Sequence, residues 1–350
     1  MAGKRHHILP RFLLKGFASN IVRDTVLTWV YRREGKVFEA STADVAVEKD
    51  FYGKEGGPSV DDEITEIEPD FASLLDELRR TSNGYEIRDS RIAEFVGHLS
   101  SRTKHIRDSL VDSSEFLIAT LFEYLADQNN FRAWILEYYK RHPEVIKQEV
   151  DKAVEKMQLP RHQRMPFRQR LLTQVRPERL VSKMDKQISE YSFMFSAVGP
   201  ILLQRIPGMV KDGHIKTLAK SLIAEPRLEN YRLLNWFVCE CVEPLVLGDV
   251  GCLFEVAGAK KFKSLDDKED ELRAVYLPIS STKLVVGSPS RSIPRVDCTV
   301  INENSAKCSR DYFVCQSSEM LVLLPLLGTE SEVLSREEIK QLVMEVILEE

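Results

Sequence analysis

Hydrophobic positions follow three different rhythms along this chain. Near the start they form short β-rich runs, Thr25-Val26-Leu27-Thr28-Trp29-Val30-Tyr31 and Lys36-Val37-Phe38-Glu39-Ala40. Between them Arg32-Arg33-Glu34-Gly35 supplies a turn, with glycine where positive φ is tolerated, so a β-hairpin is predicted. Ser41-Thr42 then caps a short helical turn that ends at Phe51-Tyr52-Gly53, and 54–62 is a polar loop with Gly56, Gly57 and Pro58.

From about Asp61 the period becomes helical. Ile64, Ile67, Phe71, Leu74, Leu75 and Leu78 recur at three- and four-residue steps, one stripe of a helix that runs to about Thr81. Pro69 is expected in the first turn of the main helix, where its missing N–H costs nothing. That places Glu68 at the helix N-terminus. A second helix starts near Asp89 or Ser90 and carries Ile92, Phe95, Val96 and Leu99. Helical patterning continues through 113–140, 144–156, about 165–190 and 218–224, with Pro143, Pro160 and Pro166 as breaks or starts.

After Trp236 the short apolar runs return. Residues 237–242, 251–256, 274–277, 283–286 and 311–314 read as strands, and a helix from about Arg336 to Leu348 closes the chain. Grouped strands and grouped helices predict an α+β fold. Its parts are an N-terminal β-hairpin region, a helical middle, and C-terminal mixed strands that pair with the N-terminal ones. The chain divides into 1–82 with the strand and helix region, 83–235 as the helical region, and 236–350 as a C-terminal α+β region. Pairing of the two strand regions would bring residues near His6 close to residues near Asp249.

With 350 residues, 43% hydrophobic and 29% charged, the chain is long enough for a sizeable core and is not of disordered composition. A net charge of −5 gives no global case for nucleic acid, so any basic surface must be local. No apolar run approaches the roughly 20 residues of a membrane span. The charged start is unlike a secretory signal. Cys239, Cys241, Cys252, Cys298, Cys308 and Cys315 contain no Cys-x-x-Cys pair. Reduced buried thiols in a cytoplasmic protein are expected over zinc or disulfides.

The densest chemistry lies in the opening, Arg5-His6-His7-Ile8-Leu9-Pro10-Arg11-Phe12-Leu13-Leu14-Lys15-Gly16-Phe17. Adjacent histidines on an extended segment point to opposite faces, so one can address a site and the other the core. Neutral imidazole is a metal ligand or general base. Pro10 restricts Leu9 to extended geometry and stiffens the segment. The plain alternative is a structural histidine with an exposed neighbour. Glu68 at a helix start would be kept ionised by the helix dipole, and an ordinary helix-start acid would look the same. Glu94, His98, Arg102 and His105 fall at helical spacing on or near one face, which suits an anionic pocket or a solvated stripe. Leu247-Gly248-Asp249-Val250-Gly251 suggests a tight turn with an exposed carboxylate. Arg161, Arg164, Arg168 and Arg170, with Arg176 and Arg179 beyond, form a basic segment suited to a phosphate backbone or to an acidic partner surface. Phosphate-binding glycine loops, nucleophile elbows and His-Glu-x-x-His are absent.

The His6-His7-Ile8-Leu9-Pro10 opening followed by Phe12-Leu13-Leu14-Lys15-Gly16-Phe17 resembles the signature of the domain-of-unknown-function family numbered 4238, a mainly bacterial group. The likeness extends through Val30-Tyr31, Phe51-Tyr52, Ile67-Glu68, Phe95, Arg102-Thr103, Pro278, Ser280, Asn302 and Tyr312-Phe313-Val314. Two places depart from the family pattern. Where it usually has Thr-Ser-Asp-Asn-Pro, this chain has Leu247-Gly248-Asp249-Val250-Gly251, and where proline often follows Arg-Thr, it has Lys104. The resemblance raises His6, His7, Glu68, Arg102 and Asp249 above the other polar residues.

The leading reading is a cytoplasmic, metal-dependent phosphodiester hydrolase, nuclease-like, of a phage-defence or toxin-effector type. His6 or His7 serves as general base or metal ligand. Glu68 and Asp249, with His7, hold a divalent cation (Mg²⁺ or Mn²⁺) or orient the imidazole. Arg102 grips a phosphate oxygen bidentately. Arg161, Arg164, Arg168 and Arg170 carry the nucleic acid. The competing reading is a non-catalytic module that binds nucleic acid, a partner protein or a second copy, with a structural histidine motif. Convergence of His6, His7, Glu68, Arg102 and Asp249 in one cleft separates the two.

Overall fold

A computed structural model describes residues 5–52, 60–222, 225–258, 261–267, 270–333 and 335–349. The fold is α+β, and strands from the two ends of the sequence share a sheet. Thr25–Arg32 forms the predicted hairpin with Val37–Ser41, turned at Gly35 with φ +79°. On its other edge the same strand pairs antiparallel with Tyr312–Cys315, which pairs with Leu247–Gly248. Asn20–Val22 completes this sheet. A second, six-stranded antiparallel sheet takes Leu253–Val256, Leu272–Pro278, Lys283–Ser288 and Asn235–Glu240 in spatial order, with Phe262–Lys263 and Tyr85–Ile87 at its edges.

The chain forms two compact units, and neither matches a consecutive stretch of sequence. One comprises Met1–Leu110 with Val210–Val333, the other Val111–Met209 with Leu334–Glu350. The expected division at 82/83 and 235/236 follows sequence order, whereas these units interleave distant segments. Tyr85–Ile87 pairs with Asn235–Glu240, which ties the early helices to the late strands. In the first unit, Leu9, Leu13, Leu14 and Phe17 of the opening are fully buried against Leu75, Phe95, Leu99, Phe254 and Val275 in one core. Burying each such side chain contributes about 1.5–3 kcal/mol, which fixes the histidine segment in place.

Several helix boundaries differ from expectation. Val60–Leu78 is one helix with Pro69 in its interior, so Glu68 sits mid-helix and not at an N-terminus. The stripe Ile64, Phe71, Leu74, Leu75 and Leu78 is buried on both sides of Pro69 and holds the helix across the lost N–H. The predicted 165–190 helix is three pieces, Arg161–Gln174, Pro177–Val181 and Asp185–Leu203. Pro177 forces Arg176 into extended geometry and ends the first. Cys298–Cys308 is a helix that the pattern did not predict, capped by the Asp297 carboxylate on the Thr299 and Val300 amides.

The second unit packs its helices around Phe131, Ile135, Val181 and Ile188. No single described helix is long and apolar enough to cross a membrane; Asp185–Leu203 with Ile206–Lys220 meets that test only as a bent pair. Cys241 and Cys298 form a disulfide, contrary to the expectation of thiols throughout. A strand end and a helix start bring their Cα atoms to 6.1 Å across a separation of 57 residues, which spacing alone gives no sign of. Cys239, Cys252, Cys308 and Cys315 are buried.

Candidate functional site

The opening strand Arg5–His7 pairs antiparallel with Val47–Lys49, His6 opposite Glu48 and His7 opposite Val47. Ile8 continues the ladder through its N–H to the Ala46 carbonyl at 2.8 Å. Pro10 then caps the short helix Arg11–Leu14. Strand alternation separates the two imidazoles. His6 is buried; its Nδ1 accepts the Tyr52 N–H at 3.1 Å, and its ring lies 5.3 Å from the Tyr52 ring. His6 thus holds the Phe51-Tyr52 segment against the strand.

His7 faces a different environment. Its Nε2 is buried and has no hydrogen-bond partner among the described residues. The Ala43 backbone favours a proton on the ring, and in the Nδ1–H tautomer the lone pair lies on Nε2. Burial pushes the imidazole pKa below its usual value, and the Glu68 carboxylate nearby works against that shift.

Arg102 organises this environment. It follows the helix Arg91–Ser101 and is fully buried. Nε donates to the Ile8 carbonyl at 2.9 Å and Nη1 to His98 Nε2 at 2.7 Å. Nη2 donates to Glu68 Oε1 at 2.9 Å and to the His7 carbonyl at 3.4 Å. One guanidinium thus joins the histidine strand, the Glu68 helix and the His98 helix. These internal acceptors occupy the donors that a bidentate phosphate grip would need, so Arg102 is a positioning residue. His98, stacked on Phe71, is held neutral: burial and the Arg102 charge push its pKa well below the usual histidine range.

The expected four-residue stripe is broken. The helix ends at Arg102 and another begins at Lys104. Glu94 pairs with Arg232 at the surface, and His105 Nε2 lies 2.8 Å from Ser264 Oγ. His98 and Arg102 of the four meet.

Asp249 is buried, where an exposed carboxylate was expected. Its oxygens accept three backbone amides, Arg310 at 3.0 Å, Asp311 at 2.6 Å and Tyr312 at 3.2 Å. Burial outweighs these donors and pushes its pKa up to about 6. Gly251, at φ +74°, completes the turn, and a Cβ there would come within 2.8 Å of Leu99. Asp249 therefore buckles the turn that leads into Tyr312–Cys315. It lines a cavity of about 190 Å³ that Ile8 and Glu48 also line, so the pairing of N- and C-terminal strands does bring the two motifs near each other. His7, Glu68 and Asp249 do not form one ligand set; among the described residues no three His, Cys, Asp or Glu side chains gather as a metal group.

Tyr52, which the resemblance marked without a role, completes the centre with two residues that sequence reasoning missed, Arg107 and His214. Tyr52 Oη is buried and has no partner among the described residues, and Tyr52 feels the charges of Arg102, Glu68 and Arg107. Arg107 lies over the Phe51 ring at 3.5 Å and donates Nε–H to His214 Nδ1 at 3.1 Å. His214 Nε2–H in turn donates to the Ser101 carbonyl at 2.9 Å. Phe51-Tyr52 was visible only through the resemblance, and nothing in local spacing marked Arg107 or His214.

In the second unit, Arg161, Arg164 and Arg170 are exposed on the helix Arg161–Gln174. Arg164 Nε caps the Leu159 carbonyl at 2.8 Å, and Arg168 is paired with Asp151.

No curated protein and no solved structure matches this chain at a significant level. The family model described as "Protein of unknown function (DUF4238)" matches residues 5–341. That match spans nearly the whole sequence, and the chain belongs to this family.

Proposed function

We propose that this protein hydrolyses phosphodiesters, with His7 as general base. The observation that supports the reading is the His7 Nε2 atom, buried, unpartnered among the described residues and beside the Glu68–Arg102 pair. Buried polar atoms without partners are uncommon and mark places where a ligand or water belongs. In the reaction a water oxygen bonds to phosphorus while its proton moves to His7 Nε2. The ester P–O bond breaks, and the leaving oxygen takes a proton from solvent. Glu68 stabilises the imidazolium that forms, and Arg102 holds Glu68 in place. Glu68 Oε1 accepts from Arg102. Its Oε2 lies outside that bond and would be the oxygen to hold a Mg²⁺ or Mn²⁺ ion, which would supply charge stabilisation at the phosphate. Asp249 is left out of this scheme, because its oxygens serve the backbone.

The exposed Arg161, Arg164 and Arg170 are proposed to contact a nucleic-acid backbone. The competing reading, a non-catalytic binding module, draws support from Arg102 and Asp249, whose polar atoms are engaged internally. Hydrolysis of single- and double-stranded DNA and RNA, with and without Mg²⁺ or Mn²⁺, tests the choice. Cleavage by the wild type that His7→Ala removes supports the hydrolase. Nucleic-acid binding without cleavage, lost on Arg161→Glu with Arg164→Glu, supports the module.

A further inference from the structure

The Arg107 side chain is only 5% exposed, yet both terminal nitrogens, Nη1 and Nη2, are buried without a hydrogen-bond partner among the described residues. Its Nε is committed to His214 and its plane is seated on Phe51, so the guanidinium is fixed with its two terminal nitrogens buried and unpaired among the described residues. Phe51 is edge-on to Tyr52 at 5.0 Å, and the Tyr52 hydroxyl is buried and equally unpartnered. The carboxylates nearby do not close the fork. Asp108 is engaged with Lys104 at 2.7 Å and with Arg310 at 3.7 Å. Glu48 feels the Arg107 charge but makes no ion pair with it among the described residues.

A buried guanidinium with an unmet fork is unfavourable unless something occupies it. A planar pair of N–H donors fits two oxygens of one anion, and a neighbouring phenol adds a third donor. A carboxylate offers its acceptors in one plane on two oxygens, whereas a tetrahedral phosphate adds a third oxygen out of that plane for the Tyr52 hydroxyl. We propose that Arg107 and Tyr52 form a built receptor for a phosphate group, oriented by His214 and Phe51. The site stands on binding geometry and does not depend on catalysis at His7.

The test is titration of the full-length protein with inorganic phosphate at constant ionic strength, followed by calorimetry and thermal shift, with chloride and acetate as comparators. Saturable, phosphate-selective binding is expected for the wild type. Arg107→Met should weaken it by roughly 10- to 100-fold, the loss of one or two charge-assisted hydrogen bonds. Arg107→Lys, which keeps the charge and loses the fork, should weaken it too, and Tyr52→Phe less. His7→Ala should bind phosphate like the wild type, which separates this site from the hydrolase proposal. Absence of phosphate-selective binding in the wild type, the signature of an ordered water only, overturns the inference. So does unchanged affinity in folded Arg107→Lys and Tyr52→Phe, which also decide the matter where Arg107→Met does not fold.

Discussion

The Arg102 guanidinium, with no exposed side-chain surface, donates to the Glu68 carboxylate at 2.9 Å, while Glu68 keeps 27% of its side chain exposed. The cation of this pair is locked inside and the anion reaches toward solvent. Glu68 is therefore held in a fixed position and remains accessible to a ligand. The same guanidinium caps the carbonyls of His7 and Ile8, so the strand that carries the proposed base and the helix that carries its carboxylate move as one piece.

Arg102→Met is expected to destabilise the protein by about 3–5 kcal/mol, the cost of breaking a buried ion pair from one side. Glu68→Gln should cost less, because water reaches that side chain. Urea denaturation of the two variants checks the order. A larger loss for Glu68→Gln would contradict the anchoring role given to Arg102.

Acid should weaken the fold through its buried histidines. His7, His98 and His214 all have pKa values below the ordinary 6.5, with burial as the first cause in each. The unfolded chain binds more protons at these residues, so their contribution is present above pH 6.5 and is lost as pH falls through the folded values. Asp249 acts in the opposite sense. Its folded pKa of about 6 lies above 3.8, so its contribution is present below 3.8 and is lost as pH rises through about 6. His98→Gln keeps an acceptor for Arg102 and removes the proton. Its stability should fall less steeply than the wild type's below pH 6.5; parallel slopes would show that His98 is not held neutral.

Asp249→Ala should lower stability by about 3 kcal/mol, most clearly below about pH 6, since three buried amides lose their acceptor. Activity per folded molecule should persist. His7→Ala should do the reverse, leaving the thermal midpoint near the wild-type value and removing turnover. Loss of activity in Asp249→Ala at full stability would return Asp249 to the site.

The Cys241–Cys298 bridge closes a loop across a separation of 57 residues. Cys298→Ser is expected to lower stability by about 2–4 kcal/mol under non-reducing conditions and to match the wild type in reductant. Peptide mapping without reduction should recover the two cysteines on one linked pair of peptides. Alkylation of both in the native protein would refute the bridge.

Sequence reading reached the local, periodic features. The hairpin at Gly35, the apolar stripe of the Glu68 helix and the late strands all carry their signals in neighbouring residues. Pairing of the two strand regions was expected without its particular strands; Thr25–Arg32 with Tyr312–Cys315 carries it, and Ile8 and Asp249 line one cavity. Features that depend on distant partners were hidden. Asp249 looked like an exposed turn acid because its three amide donors lie about sixty residues later. Arg107 looked like one helix arginine among many, because its partners are Phe51 and His214. Pro69 misled because a buried stripe can carry a helix through a proline, and no local residue announces that.

The central claim is that His7 removes the proton in phosphodiester hydrolysis, and chemical rescue tests it most directly. Single-turnover cleavage is measured for the wild type and His7→Ala, each with and without added imidazole, on a nucleic acid that the wild type cleaves. His7→Ala is expected to be slower by about 100-fold or more, a typical share for a general base, with imidazole restoring part of the rate in the variant alone. Equal rates for the two proteins, or no cleavage of any nucleic acid by the wild type, would contradict it.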